Sequence, residues 1–184
     1  MPEPLVAKTP RLILRPVIEE DAESTVELVT ADVSESLLSW HYPTSRDQVV
    51  ERVRKARDEI ERGKAVNWAI LRREDQRLLG WIVIARVRGG LGSIGYWLGS
   101  QFRGQGYMRE AASHAIAAGS AYLSLATIRA DVFPSNKASI AVLEALAFRR
   151  CGLRRVKSAR TGRQEKVCRY QRDATAELPA NGTR

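Results

Sequence analysis

Residues 100–111 read SQFRGQGYMREA, and the interpretation of the whole chain turns on them. Gly104 and Gly106 stand close together, with Arg103 and Arg109 on either side, and an alanine-rich run follows. Glycine lets the backbone take positive φ and approach a ligand closely, because no Cβ stands in the way. A helix that starts there presents amide hydrogens with no acceptor inside the helix and about half a positive charge. Such a turn is either a plain strand-to-helix connection or a cradle for an anion such as pyrophosphate. The glycines alone leave both open.

The flanks place the turn. Upstream, Val66–Leu71, Leu78–Val87 and Ser93–Leu98 predict three strands in an antiparallel meander, joined by short polar or glycine turns. Downstream, Ala111, Ala112, Ala115 and Ile116 give a helix its apolar face, and Leu125–Phe133 alternates as a strand. The run from Ser93 to Phe133 is therefore one β-α-β crossover, which makes its two strands parallel. The glycine turn falls at the C-terminal end of a parallel strand, where anions bind in mixed sheets. Before this unit come a strand at Leu12–Leu14 closed by Pro16, a helix from the acids at 19–21, an irregular stretch at 32–44, and a helix opened by the capping box Ser45-x-x-Gln48 and ended by Gly63. After it come a short helix from Asn136 and a hairpin over about 148–157 and 165–172. The order predicts a mixed α+β domain, a mostly antiparallel sheet of about seven strands with one parallel pair and four helices.

Other phosphate motifs fit less well. The string GxxxxGK[ST] is absent. Gly90-Leu91-Gly92-Ser93-Ile94-Gly95 matches GxGxxG, but it lies between two strands and reads as a hairpin turn.

Composition sets the outer bounds. The 184 residues suit one domain, expected over 1–172 with a patternless tail at 173–184 expected to be disordered. No apolar run reaches membrane-spanning length, and the opening residues lack the apolar core of a signal peptide. Two cysteines, Cys151 and Cys168, and two histidines, His41 and His114, have no metal-ligand spacing, so no metal and a reducing, cytoplasmic location are expected. Net charge is +9, and from Arg149 to Arg172 ten Lys/Arg face a single acid, Glu165. That basic hairpin is either a solvated surface or an attractor for a phosphorylated cofactor, RNA or a ribosome. Tyr170 is its only aromatic residue, too little for a stacking platform of a purely nucleic-acid-binding protein.

Three stretches together resemble the GNAT superfamily of N-acetyltransferases: TPRLILRPVIEEDA (9–22), IGYWLGSQFRGQGYMREA (94–111) and ADVFPSNKASIAVLEALAF (130–148). Arg103-x-x-Gly106 matches the family's Q/R-x-x-G-x-G/A, and Met108 departs from it at the last, normally small, position. The likeness is to the branch that acetylates N-terminal alanines of ribosomal proteins. It implies acetyl-CoA as co-substrate, no metal, and direct attack by an amine in a ternary complex.

The resemblance also implies roles. Main-chain groups of Tyr96, Trp97 and Leu98 would meet the pantetheine and thioester where the parallel strands splay. Amides of Gly104, Gln105, Gly106, Tyr107, Met108 and Arg109, with Arg103 before them, would hold the pyrophosphate. Asn136 would contact CoA, and as Asn it also suits a helix N-cap. Ser139 matches the position of the general acid, with Tyr107 in reserve, since Leu143 stands where some N-terminal acetylases carry a tyrosine. Asp131, where related enzymes carry a glutamate, is the candidate base, or else an acid paired with Arg129 on its own strand. Glu110 is a weaker base that suits the helix dipole. Trp40, His41 and Tyr42 would line the acceptor site. A weak base favours an α-amine of pKa about 8 over a lysine near 10.4. The acceptor is a protein N-terminus or a small amine such as an amino acid, amino sugar or antibiotic. A CoA-binding module without turnover is the other reading, and the protein is expected to be a monomer or homodimer.

Overall fold

The computed structural model describes residues 5–176. In chain order they form β1 (Ala7–Lys8), β2 (Leu12–Pro16), α1 (Ala22–Leu28), α2 (Ala31–Glu35), α3 (Arg46–Glu61), β3 (Ala65–Arg72), β4 (Leu78–Arg88) and β5 (Leu91–Leu98). There follow α4 (Tyr107–Leu123), β6 (Thr127–Val132), α5 (Lys137–Ala145), β7 (Arg149–Lys157) and β8 (Gln164–Asp173). The sheet runs β1-β2-β3-β4-β5-β6-β8-β7, antiparallel throughout except for the parallel pair β5–β6.

The described residues thus hold eight strands and five α-helices, against about seven and four predicted. The additions are short. β1 has two residues, too few to alternate, and α2 has five, overlapping the start of the stretch expected to be irregular. Asp173, expected to start a loose tail, closes β8, and the buried Ala174 donates its N–H to the Ala126 carbonyl at 2.8 Å. The rest of that tail, from 177, lies outside the described residues.

Strand alternation distributes the helices between two faces. Trp81 Nε1 donates to Thr25 Oγ1 of α1 at 3.1 Å, so odd residues of central β4 face α1 and α3. Ile84, of opposite parity, meets α4: a Cβ added to Gly119 would lie 2.9 Å from Ile84 Cβ, so the helix sits too close for any side chain there. β3 is buried at nearly every position because it is covered on both faces. The capping box forms as the sequence predicts: Ser45 Oγ accepts from the Gln48 N–H at 3.3 Å and Gln48 Oε1 from the Ser45 N–H at 3.0 Å.

Two features prepare the site. The β5–β6 ladder pairs only Leu91↔Thr127, Gly92↔Ile128 and Ser93↔Arg129. Beyond that, β5 runs on to Leu98 and β6 to Val132 without pairing, so the strands part. At the other edge, the β7–β8 turn reaches back across the molecule. Ser158 Oγ and the Arg160 N–H donate to the Leu38 carbonyl at 3.0 and 2.9 Å, and Arg160 Nε to the Leu37 carbonyl at 3.1 Å.

Candidate active site

A cleft of about 1060 Å³ opens where β5 and β6 part. That volume suits a large, extended ligand together with a second reactant.

Its first part is the glycine turn. Gly104 and Gly106 have φ +76° and +79°, a region that costs other residues energy, which is why glycine stands at both. Gly106 is the N-cap of α4 and has no side chain to cap with. The helix's first backbone bond joins the Glu110 N–H to the Gly106 carbonyl at 3.1 Å, so the amides before it have no acceptor within the helix. Arg11 fixes the turn from a distance: its Nη1 donates to the Gln105 carbonyl at 2.9 Å and its Nε to Glu110 Oε2 at 2.7 Å. Glu110 is further held by the Thr9 hydroxyl and, at 2.9 Å, by the Arg11 N–H. Burial works to raise its pKa, yet these donors together leave it below the usual glutamate value. Glu110 therefore acts as a tie between the first strands and α4, with its oxygens committed. Tyr107 lies buried with the Arg11 guanidinium 4.7 Å from its ring centroid.

The second part is the α5 face of the gap. Asn136 caps α5, its Oδ1 accepting from the Ser139 N–H at 3.0 Å. Ser139 Oγ donates to Tyr96 Oη at 3.0 Å, and Tyr96 Oη donates to the Ser139 carbonyl at 3.2 Å. Burial pushes the Tyr96 phenol up to about 12, although the Ser139 contact pulls the other way, so Tyr96 keeps its proton at any physiological pH. The sequence offers Tyr96 only through its main chain; the side-chain contact joins residues 43 positions apart and has no local signal.

The third part is the α3 face. Trp97 is opposite Trp81 in the ladder and so faces α1 and α3. Trp40 meets both edge-on, with centroids at 5.3 and 5.4 Å, and the three indoles make an apolar wall. Trp97 Nε1 is buried with no acceptor among the described residues, an orphaned donor on a residue that lines the cleft. Of the aromatic trio at 40–42, only Trp40 lines the cleft; His41 and Tyr42 do not, and Tyr42 is 58% exposed.

Asp131 also faces this side. Its partner is Arg169, directly opposite in the β6–β8 ladder, which binds both carboxylate oxygens at 2.8 and 2.9 Å. The expected pairing with Arg129 is not the one observed. A residue two positions along a strand is farther away than one directly across it, and Arg129 Nε donates to Gln171 Oε1 at 2.8 Å instead. Asp131 thus stands in the cleft as the ion-pair partner of Arg169, engaged through both oxygens. Among the described residues no group of three His, Cys, Asp or Glu could hold a metal ion, and no helix is long and apolar enough to cross a membrane.

The cleft fits an acyl-CoA on this chain's own features: an uncapped helix start behind glycines of positive φ, strand edges left without a neighbour, and room for a long arm. The sequence pattern of the acetyltransferase (GNAT) domain matches residues 11–149. The uncharacterized N-acetyltransferase YoaA of Bacillus subtilis (strain 168) is 26% identical over 152 residues, 82% of this chain and 86% of that one. RimJ of Mycobacterium smegmatis, solved in complex with CoA-disulfide, superposes with TM-score 0.79 at 23% identity, covering 92% of this chain and 87% of its own. An acetyltransferase from Salmonella typhimurium, described as modifying the N-terminal serine of the 50S ribosomal subunit protein L7/L12, superposes with TM-score 0.77 at 22% identity, covering 90% of this chain and 96% of its own.

Proposed function

The chain belongs to the GNAT acetyltransferase family, and from that premise we propose that it transfers acetyl groups to the α-amine at a polypeptide N-terminus. Acetyl-CoA, when bound, supplies the acetyl group as an activated thioester. The residues that would hold it are the amides from Gly104 to Arg109, the main chain of Tyr96, Trp97 and Leu98 along the parted edge of β5, and Asn136 at the head of α5. Arg103 is engaged with Asp32, its Nη1 3.2 Å from that carboxylate, and would have to leave it to reach a phosphate.

The observation that carries the choice of amine is that both carboxylates in the cleft have a cationic partner. Asp131 is held by Arg169, and Glu59 lies 3.9 Å from Lys55 and accepts from Asn67 Nδ2 at 3.4 Å. With no unpaired carboxylate to remove a proton, an amine that is already partly neutral is favoured. An α-amine of pKa about 8 meets that condition, and a lysine near 10.4 does not. The modification of an N-terminal serine described for the Salmonella protein supports the same reading.

In this reading Ser139 Oγ is the proton donor at the head of α5 once its hydroxyl turns from Tyr96 Oη toward the leaving thiolate, and Tyr96 is the positioning residue that fixes the oxygen beforehand. Positioning of amine and thioester along the gap supplies much of the rate. Asp131 takes part as a base only if Arg169 releases it. The test is thiol release with acetyl-CoA and N-terminal peptides, with the product site read by mass spectrometry. Acetate on the α-amine is expected; acetylation confined to lysine side chains or small amines would refute the polypeptide acceptor.

A further inference from the structure

Six cationic side chains line the α3 side of the cleft: Arg52 and Lys55 from α3, Arg88 from the end of β4, Arg129 from β6, Arg154 from β7 and Arg169 from β8. The two carboxylates on that side, Asp131 and Glu59, are matched by Arg169 and Lys55. Arg52, Arg88, Arg129 and Arg154 have no carboxylate within ion-pair distance among the described residues. Neutral groups hold two of them in place. Arg129 donates to Gln171, and Arg52 donates to the Ser39 carbonyl while its guanidinium lies 4.5 Å from the Trp40 ring centroid. Burial pulls the Arg52 pKa down with no acid to restore it.

Ladder register shows that these groups converge. Arg129 is opposite Gln171 and Asp131 opposite Arg169, so all four share one face; Arg154, opposite Val167, has the parity of Arg169 and joins them. Arg52 and Lys55 look onto the same space from α3. Like charges gathered in a partly desolvated trough repel until an anion enters. The same surplus disfavours the protonated form of an entering amine, which is the unreactive form.

Resting on the N-terminal acetyl transfer proposed above, we propose that the acceptor is an acidic N-terminal segment. Carboxylates on the residues that follow the acetylated amine are received by the arginines at 52, 88, 129 and 154. The aromatic wall takes the apolar part of the first residue.

Three peptides matched in length test this: one beginning Ala-Asp-Glu, one Ala-Asn-Gln and one Ala-Lys-Lys, each labelled at the far end. Binding is read by fluorescence anisotropy on the CoA-loaded protein at low and high salt. The acidic peptide is expected to bind about tenfold tighter than its amide counterpart at low salt, with the ratio shrinking as salt rises. In a variant carrying Arg129→Gln and Arg154→Gln the ratio falls toward one, and CoA titration of the same variant verifies that it folds. Equal binding of acidic and amide peptides, or a ratio untouched by the double variant, overturns the proposal. Acetyl transfer measured in parallel separates the two readings. An acidic peptide preferred in binding but never acetylated sinks the N-terminal transferase and leaves the charge selection standing. Amide and acidic peptides acetylated with equal efficiency sink the charge selection and leave the transferase. Free aspartate acetylated in preference to every peptide retains the anionic acceptor and removes the polypeptide.

Discussion

On the α4–α5 side of the gap between β5 and β6, the groups turned inward are backbone amides, the hydroxyls of Tyr96 and Ser139, and the Asn136 side chain; on the α3 side they are guanidinium groups and indoles. The first side is held by specific hydrogen bonds, one reaching across the fold and one local. Arg11 locks the glycine turn and Asn136 locks α5, so its geometry is fixed before a ligand arrives. The second side is held by ladder register, with charges left over. The contrast indicates a division of labour. Main-chain donors suit a ligand of invariant shape, whereas side-chain charges on a sheet edge suit an acceptor recognised by composition.

Breaking the first side should have the largest effect. Gly106→Val forces a β-branched residue into φ +79°, and its Cβ would meet Arg11 Nη2 at 3.3 Å. We expect CoA affinity, measured by calorimetry, to fall by about 100-fold, alongside roughly 1–3 kcal/mol of strain. Retained affinity would show that the turn is only a turn. Next, Ser139→Ala should lower kcat by about 100-fold at unchanged CoA affinity, the usual size of a lost general acid. Tyr96→Phe should cost less, about tenfold in kcat, and should leave the inflections of the pH–rate profile in place below pH 10. Its phenol is pushed up to about 12, so the neutral form persists across that range. A shifted inflection in Tyr96→Phe would mean that the phenol itself titrates in turnover.

Asp131→Asn sharpens the comparison from the other side. A working base would cost at least about 100-fold in kcat, with loss of the acidic limb of the profile. A carboxylate tied to Arg169 should cost less than about tenfold, expressed mainly in KM, because the freed guanidinium changes acceptor binding. The smallest effect belongs to Glu110, which serves architecture. Its folded pKa is lowered, so its contribution to stability is present above its unfolded value near 4.5 and is lost as pH falls through the lower folded value. Glu110→Gln should therefore reduce stability by about 1–3 kcal/mol at pH 7, with the deficit vanishing in acid. A deficit independent of pH in thermal melts would assign the loss to packing.

Much of the cofactor half is legible along the chain because its parts are local. The glycines, the uncapped helix start and the Asn136 cap sit within about one turn of the residues they act on, and the crossover follows from consecutive strand, helix and strand patterns. The short elements are not legible: β1 and α2 are stabilised by what they pack against and carry too few residues for a period. The acceptor half depends on register between distant strands. Asp131 is separated from Arg169 by 38 positions, and only the β6–β8 pairing makes them opposite. The sequence count of ten basic residues in the last hairpin marks charge there but not its direction; alternation plus register turns Arg154 and Arg169 inward. Tyr42, exposed and outside the cleft lining, is not legible either, since an aromatic residue in an irregular loop carries no periodicity to say which way it points.

The turn between β7 and β8, which crosses over to grip the carbonyls of Leu37 and Leu38, has a consequence for how such a protein could change its taste. β7 is the outermost strand and pairs with β8 alone, while its turn is anchored by a few polar contacts. β7 and its turn are therefore a replaceable cartridge: grafting another sequence onto them would rewrite one bank of the acceptor channel and leave the diphosphate-facing helix start untouched.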